Sequence, residues 1–297
     1  MTRDAADSIG RPAAGTLFVV ATPIGNLRDL SPRAAEVLRD VDLLLAEDTR
    51  HTQQLLQACG IARPAGTVES LHEHNERDRA AGVVDRLARG ASVALVSDAG
   101  SPLVSDPGSL LVAAAATAGV TVVAVPGPCA AIAALSIAGL PTGRFAFEGF
   151  LPAKSSARKR ALEALARETR TLVFYEAPHR LHECLDDLAQ GLGAQRDAVI
   201  AREITKKFES VYRGTLAQLA ARAADDADMA RGEIVIVVRG AEETASEDDA
   251  ARAAQDLLCV LLEEMPVSQA AKLAARITGR GRSELYEYAL TLAKPRD

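Results

Sequence analysis

Short apolar runs alternate with stretches whose apolar residues recur at helical spacing, from residue 16 to about residue 240. In the first half this pattern predicts strands at Leu17–Thr22, Leu43–Ala46, Val93–Ser97 and Val120–Val125, with helices at Pro32–Asp40, Asp78–Arg89 and Pro107–Ala118. In the second half it predicts strands at Thr171–Tyr175, Val199–Glu203 and Glu233–Arg239, with helices at Ala157–Glu168, His179–Leu192 and Leu216–Ala224. The alternation of strands and helices indicates an α/β protein whose first sheet is mostly parallel.

Composition shifts suggest how this pattern divides into domains. Residues 1–14 are small and polar and predict a disordered tail. An N-terminal α/β domain over residues 15–126 and a C-terminal α/β domain over residues 127–240 would meet at the turn Pro126–Pro128, and the crevice between them would be the active site. Residues 241–249 are acidic and resemble a linker.

Residues 250–297 predict a compact module of three helices, Ala250–Glu264, Ser268–Thr278 and Ser283–Ala293. The short breaks between these helices are typical of a helix-turn-helix-like unit. A plain helical cap that serves solubility or dimerisation fits the pattern as well.

Composition and charge narrow the classes of function. The chain has 297 residues and a net charge of −6, so a nucleic-acid partner would need a local basic patch. Four cysteines stand singly without metal-ligand spacing, which favours reduced thiols and predicts no structural metal. Neither a signal segment nor a bilayer-length apolar run is evident, so we expect a soluble, cytoplasmic protein without a membrane partner.

Loops rich in small residues follow four of the predicted strands. The most informative is Val96–Gly108, in which Asp106 and Pro107 are suited to be the N-cap and first residue of the next helix. Similar loops occupy Ala21–Asp29, Pro126–Ala131 and Tyr175–Arg180. One such loop is as consistent with a tight turn as with a ligand site, whereas four at the edge of a sheet favour a ligand crevice.

Common catalytic motifs are missing from the sequence. The glycine-rich nucleotide-binding motifs, the zinc-protease motif and the serine-hydrolase elbow do not occur. His72 and His74 are compatible with a metal site, but two histidines without matching partners more often lie on a surface or line a polar cleft.

Taken together, the loops and several polar segments resemble the tetrapyrrole methylase superfamily. Within it they resemble the ribosomal small subunit methyltransferase I group, which 2′-O-methylates a cytidine of 16S rRNA with S-adenosylmethionine. The similarity extends over nearly the whole chain and rests on Ala21–Arg33, Ala46–Arg50, Leu71–Asn75, Val96–Gly108, Phe174–Arg180, Ala201–Glu209 and Arg231–Glu233. It implies two α/β domains with an interdomain cofactor crevice and the C-terminal three-helix module.

The resemblance also implies roles for individual residues. S-adenosylmethionine would contact Pro23, Ala99, Gly100, Ser101, Val104, Cys129, Ala130, Glu176 and Ala177. The candidates for assisting proton loss are Lys206, Glu203 and Glu47, although the segment Arg202–Glu209 could instead form surface ion pairs. A homodimer acting on 16S rRNA, within the 30S subunit, is the implied assembly.

Local positive charge would hold the RNA. The candidates are Arg28, Arg50, Lys154, Arg158, Lys159, Arg160 and Lys207, with Arg144, Lys206, Arg280 and Arg282 as further cations. The cluster Lys154–Arg160 could equally be the solvated face of a helix.

Two other functions remain open from sequence. A methyltransferase acting on a tetrapyrrole carbon would have no use for a helical nucleic-acid module. A cofactor-sensing nucleic-acid-binding regulator would bind the cofactor without turnover.

Overall fold

A computed structural model of the protein describes residues 15–242 and 247–292, which fall into two compact units with a division at residues 241 and 242. The predicted tail 1–14, residues 243–246 of the predicted linker and residues 293–297 lie outside the described residues. The predicted division of residues 15–240 into two domains stays a prediction, because these residues form one compact unit that contains two sheets.

The first sheet is entirely parallel, as the alternation of strands and helices predicts. Its strands are β1 Thr16–Val20, β2 Leu43–Ala46, β3 Val68–Ser70, β4 Val93–Val96 and β5 Thr121–Val125, in the order β3-β2-β4-β1-β5. The helices are α1 Pro32–Asp40, α2 Thr49–Ala58, α3 Glu76–Ala88 and α4 Ser109–Thr117. Successive side chains of a strand point to opposite faces. Phe18 and Val20 therefore pack with α1 and α2, while Leu17 packs with α3 and α4.

The second sheet is mixed. Its strands are β6 Phe145–Phe150, β7 Thr171–Glu176, β8 Asp197–Arg202, β9 Ser210–Thr215 and β10 Ile234–Val238, in the order β6-β7-β10-β8-β9. Only β6 and β7 pair in parallel among these neighbours. Helix α5, Ala130–Ala138, covers one face, and α6 Ser155–Leu165, α7 Leu181–Leu192 and α8 Leu216–Asp225 cover the other.

Helix α4 begins later than the sequence pattern predicts. Its N-cap is Gly108, with φ of 127°, and Asp106 and Pro107 precede the helix as part of the loop. A Cβ atom at position 108 would lie 2.5 Å from Cδ2 of Leu95, so the chain turns here only because the residue is glycine. The capping role predicted for Asp106 is therefore wrong.

The second unit consists, within residues 247–292, of α9 Glu247–Glu264, α10 Val267–Thr278 and α11 Arg282–Leu292. Small and aliphatic side chains form its core: Ala254, Leu258, Ala270, Ala271, Ala274, Leu285 and Ala289. The three helices agree with the predicted module, apart from an earlier start of the first helix. None of the described helices is long and apolar enough to cross a membrane.

Candidate active site

A cavity of about 330 Å³ lies where loops from both sheets converge. It falls within the size range of small-molecule sites. Of the nine residues predicted to contact the cofactor, eight line it: Ala99, Gly100, Ser101, Val104, Cys129, Ala130, Glu176 and Ala177. Pro23 does not line the cavity, but the next residue, Ile24, does.

The structure adds cavity residues that were not predicted from the sequence as cofactor contacts. They are Ser105, Asp106, Phe150, Tyr175, Pro178, Ile204 and Gly232–Val235. Several of them lie inside the segments that carry the family resemblance, so the sequence already marked these segments as part of the site. What the sequence could not show is which side chain of each motif faces the cavity.

Hydrogen bonds tie the first-sheet loops together. The N–H of Thr22 donates to the carbonyl of Gly100 at 2.8 Å, and the N–H of Gly100 donates back to the carbonyl of Thr22 at 3.1 Å. The hydroxyl of Ser101 donates to the carbonyl of Pro128 at 3.1 Å. The loops after β1, β4 and β5 are therefore braced against one another around the cavity.

Backbone strain marks two segments beside this cavity. Leu103 and Ser105 have φ of 71° and 69°, and Glu203 and Thr205 have φ of 52° and 67°. These are the left-handed values that residues other than glycine rarely adopt. Strain of this kind persists only where the surrounding contacts hold it, and it is frequent at functional sites.

Glu176 is fully buried at the wall of the cavity. Its Oε1 accepts the N–H of Ala177 at 2.7 Å and lies 3.2 Å from Nε of Arg180. Its Oε2 is buried and has no N–H or O–H partner among the described residues. Burial raises the pKa of the Cys184 thiol, and the negative charge of the neighbouring Glu176 raises it further. Glu176 lines the cavity, so its Oε2 is an acceptor close to the space that a bound molecule would occupy.

Tyr175, the residue before Glu176 on β7, also lines the cavity. Its hydroxyl accepts the N–H of Ala131 at 3.2 Å, and its ring packs edge-on against Phe147 and Phe150. Burial raises the pKa of Tyr175, so the phenol is neutral at physiological pH. It therefore fixes the start of α5 and carries no charge.

Lys206 and Glu203, two of the predicted catalytic residues, form an ion pair at 2.9 Å, and Lys206 also lies 3.2 Å from Glu233. Burial alone would lower the pKa of Lys206, but the carboxylates of Glu203 and Glu233 outweigh it and raise the pKa. A lysine with a raised pKa is protonated at neutral pH and cannot act as a general base.

Two glycines make room for this ion-paired cluster. A Cβ atom at Gly25 would lie 2.4 Å from Cγ of Lys206, and one at Gly232 would lie 2.2 Å from Oε1 of Glu203. Glu203 Oε1 also accepts the N–H of Glu233 at 2.9 Å. Burial would raise the pKa of Glu203, and the Glu233 N–H and Lys206 more than offset this and lower it. The cluster joins the β1 loop to the loops after β8 and before β10.

Glu47, the third predicted catalytic residue, does not line the cavity, whereas Asp106 does. Burial and then the charge of Asp98 raise the pKa of Glu47. Burial raises the pKa of Asp106 to about 6, and the charges of Glu47 and Asp98 add to this effect. Asp98 pairs with His51 at 2.8 Å. The negative charge of Glu47 thus contributes to the raised pKa of Asp106.

Most of the predicted RNA contacts lie on the surface. The exposed ones are Arg28, Arg50, Lys154, Lys159, Arg160 and Lys207. Arg50 pairs with Asp48 at 2.6 Å, and Lys159 donates to Gln190 at 3.1 Å. Phe208, the residue after Lys207, is 62% exposed. It is not among the RNA contacts predicted from the sequence.

Arg158 is an exception, and its predicted contact with RNA is wrong. Its side chain is 1% exposed and its Nε donates to Oδ2 of Asp187 at 2.7 Å. Its Nη1 also donates to the carbonyl of Ala153 at 3.3 Å. The guanidinium therefore holds α6 to α7 and is not available to a phosphate.

The two histidines considered as metal ligands meet edge-on, with ring centroids 6.0 Å apart. No group of three His, Cys, Asp or Glu side chains in the described ranges has an arrangement that could hold a metal ion. The absence of a metal stays a prediction.

Comparisons with known proteins agree with this architecture. The profile of the tetrapyrrole (corrin/porphyrin) methylases matches residues 16–220, and the profile described as the RsmI C-terminal HTH domain matches residues 247–293. Two relatives are named ribosomal RNA small subunit methyltransferase I. That of Xylella fastidiosa is 56% identical over 274 residues, 92% of this chain and 98% of its own length. That of Pseudomonas aeruginosa is 52% identical over 278 residues, 94% of this chain and 98% of its own length.

Similar folds are also found among solved structures. Uroporphyrin-III C-methyl transferase from Thermus thermophilus, complexed with S-adenyl homocysteine, has a TM-score of 0.50 at 18% identity, and the alignment covers 75% of this chain and 96% of that one. At this identity the likeness concerns the fold alone. The profile match over most of the chain and the identity to full-length relatives show that the chain belongs to the tetrapyrrole methylase family.

Proposed function

We propose that this protein methylates the ribose 2′-oxygen of a cytidine in 16S rRNA, with S-adenosylmethionine as methyl donor. The coarser statement, a methyltransferase of small-subunit rRNA, follows from its relatives, which match it over almost their whole length. The observation that carries the proposal is the cavity, because eight residues selected from motif resemblance converge on it.

The cavity suits S-adenosylmethionine in shape and chemistry. Small residues at Ala99, Gly100, Cys129 and Ala130 leave space for close approach, and Gly100 has a φ of 87° with a Cβ position 3.3 Å from Ile24. The apolar side chains of the wall suit a planar adenine ring. The carboxyl group of Glu176 in the cavity wall would accept from a hydroxyl or ammonium group. When bound, the cofactor supplies an activated methyl group on a sulfonium.

The protein's own residues would align the nucleophile and shield the reaction from water. Alignment of reacting groups can account for a large share of a barrier reduction. The braced loops and the strained segments provide the rigidity that such alignment needs. We place Lys206 and Glu203 as positioning residues, because their ion pair holds three loops in register beside the cavity.

RNA would be held by the exposed cations together with Phe208. Lys207 Nζ lies 5.4 Å from the centroid of the Phe208 ring, so a base could stack on the ring while the ammonium meets a phosphate. Phe208 follows the cluster of Lys206 and Glu203 on the same loop, which brings this surface close to the cavity. Action on the assembled 30S subunit in the cytoplasm, as a homodimer, completes the proposal.

The test is transfer of labelled methyl from S-adenosylmethionine to 30S subunits that lack their modifications. Wild-type protein should label the 16S rRNA, and Gly100→Arg, which fills the cavity, should lose cofactor binding and labelling together. Cofactor binding without label in either 30S subunits or naked 16S rRNA would contradict the proposal and favour a tetrapyrrole substrate.

A further inference from the structure

Among the described residues, three carboxylates line the cavity, and two of them have a cationic partner. Glu176 lies 3.2 Å from the Arg180 guanidinium, and Glu233 lies 3.2 Å from the Lys206 ammonium. Asp106 differs, because the charges that act on it come from Glu47 and Asp98, and both are anionic. It is therefore the cavity carboxylate whose negative charge is least stabilised.

The backbone explains why this carboxylate faces the cavity. Helix α4 starts only at Ser109 and is capped by Gly108, so the side chain of Asp106 does not cap it. The preceding residue, Ser105, has a φ of 69°, and this strained turn carries Asp106 into the cavity wall. The hydroxyl of Ser97 supports the ionised carboxylate.

We propose that the Asp106 carboxylate is the general base that accepts the proton of the ribose 2′-hydroxyl. This inference rests on the proposed function. The ribose oxygen forms the new C–O bond as the methyl carbon parts from sulfur, which keeps the electron pair of the broken bond and becomes neutral. The hydroxyl proton moves to an oxygen of Asp106 and then to solvent, so atoms and charges balance.

The electrostatic surroundings match this role. A general base is most effective when its pKa lies near the working pH, and the pKa of Asp106 is raised to about 6. On the side of the first sheet, the charges of Glu47 and Asp98 act on Asp106. Asp98 Oδ2 lies 2.8 Å from Nδ1 of His51, which partly offsets its charge. From the second sheet, the neutral phenol of Tyr175 is within its electrostatic reach. The group is thus an ionised and poorly stabilised acceptor at neutral pH.

The alternatives named from sequence are weaker for this step. Lys206 is protonated, and Glu203 is occupied by Lys206 and by the N–H of Glu233. Glu47 does not line the cavity. Its expected role is to raise the pKa of Asp106 through its charge.

The decisive variant is Asp106→Asn, which keeps the shape of the side chain and removes the base. Single-turnover methyl transfer to 30S subunits should fall by about 100-fold or more, because general-base catalysis typically contributes 10²–10⁴-fold. The dissociation constant for S-adenosylmethionine, measured by calorimetry, should change by less than about threefold. In a plot of rate against pH, the wild-type rate should fall as the pH drops through the pKa of Asp106. This fall, the acidic limb of the profile, should be absent in the variant.

Two further measurements separate the possible outcomes. In the protein without ligands, a carbon-13 NMR titration of the Asp106 carboxyl should show a pKa well above that of an ordinary aspartate. In Glu47→Gln, the fall in methyl-transfer rate at acidic pH should remain but should occur at lower pH. If this fall disappeared in Glu47→Gln, Glu47 would be the base.

Asp85→Asn is the matched control, since Asp85 is an exposed aspartate on α3 and does not line the cavity. It should keep the plateau rate within a few-fold of wild type. An Asp106→Asn variant with wild-type rate would overturn the inference, and so would one that loses only cofactor affinity. Wild-type protein that transfers no methyl at all would instead refute the proposed function, which distinguishes the two failures.

Discussion

Removal of the Arg158 side chain tests whether this residue stabilises the fold through its buried ion pair with Asp187 or binds RNA. Arg158→Ala leaves the carboxylate of Asp187, whose side chain is 7% exposed, without its closest cation at 2.7 Å. Breaking a buried pair in this way costs about 3–5 kcal/mol. Asp187 keeps the Ser155 hydroxyl at 3.1 Å and Lys159 at 3.5 Å, so we expect the lower end, about 3 kcal/mol. For a unit of this size that corresponds to a Tm lower by roughly 6–12 °C.

Thermal unfolding and RNA affinity, measured on the same samples, would separate the two roles of Arg158. The paired change Arg158→Met with Asp187→Leu should recover most of the lost stability, because apolar residues of similar volume often replace a buried pair without loss. Arg160→Ala is the matched control on the same helix, since Arg160 is exposed and should affect RNA affinity but not Tm. Weakened RNA binding by Arg158→Ala at unchanged Tm would refute the structural role.

The effect of Arg158→Ala should also depend on pH. Burial alone would raise the pKa of Asp187, but hydrogen bonds from Arg158 and Ser155 outweigh it and the pKa is lowered. A lowered carboxyl pKa contributes stability above the unfolded value of 3.8, and this contribution is lost as the pH falls through the folded pKa. The difference between variant and wild type should therefore shrink in acid.

Three further variants probe the site. Gly25→Ala should displace Lys206 and cost about 1–3 kcal/mol of stability with at least a tenfold loss of methyl transfer, whereas Gly66→Ala, also at positive φ but in open space, should cost only the backbone strain. Asp106→Asn should raise the Tm at pH 7.5 but not at pH 4. Because the pKa of Asp106 is raised from 3.8 to about 6, ionisation of this carboxyl removes stability from the wild-type protein as the pH rises through that interval. The loss is about 1–3 kcal/mol after allowance for solvent screening. Phe208→Ala should weaken RNA binding roughly 10- to 100-fold at unchanged Tm, with recovery in Phe208→Trp, as measured by filter binding.

Buried parallel strands were the part of the fold easiest to predict. Strands β2 and β4 are buried on both faces and read as continuous apolar runs. Strand β3 has three half-buried residues, and β9, Ser210–Thr215, is an edge strand of mixed character. Neither gives a clear pattern, because the contacts that make them strands come from neighbours distant in sequence.

The cavity was predictable from its loops, and its chemistry only in part. Small residues after successive strands indicated the location, because such loops meet at one sheet edge. The roles of single side chains depend on tertiary contacts. Arg158 looks like its neighbours Lys159 and Arg160 in sequence, and only the approach of Asp187 from another helix buries it. Asp106 reads as a helix cap until the position of Gly108 is known.

The most direct test of the central claim is the chemical identity of the methylated nucleoside. Small subunits lacking their modifications would be incubated with the protein and S-adenosylmethionine, and the 16S rRNA would be digested to nucleosides for mass spectrometry. We predict 2′-O-methylcytidine, with the added mass on the ribose fragment and not on the base. A methyl group carried by the base, or by no nucleoside at all, would contradict the assignment of this cavity to ribose methylation.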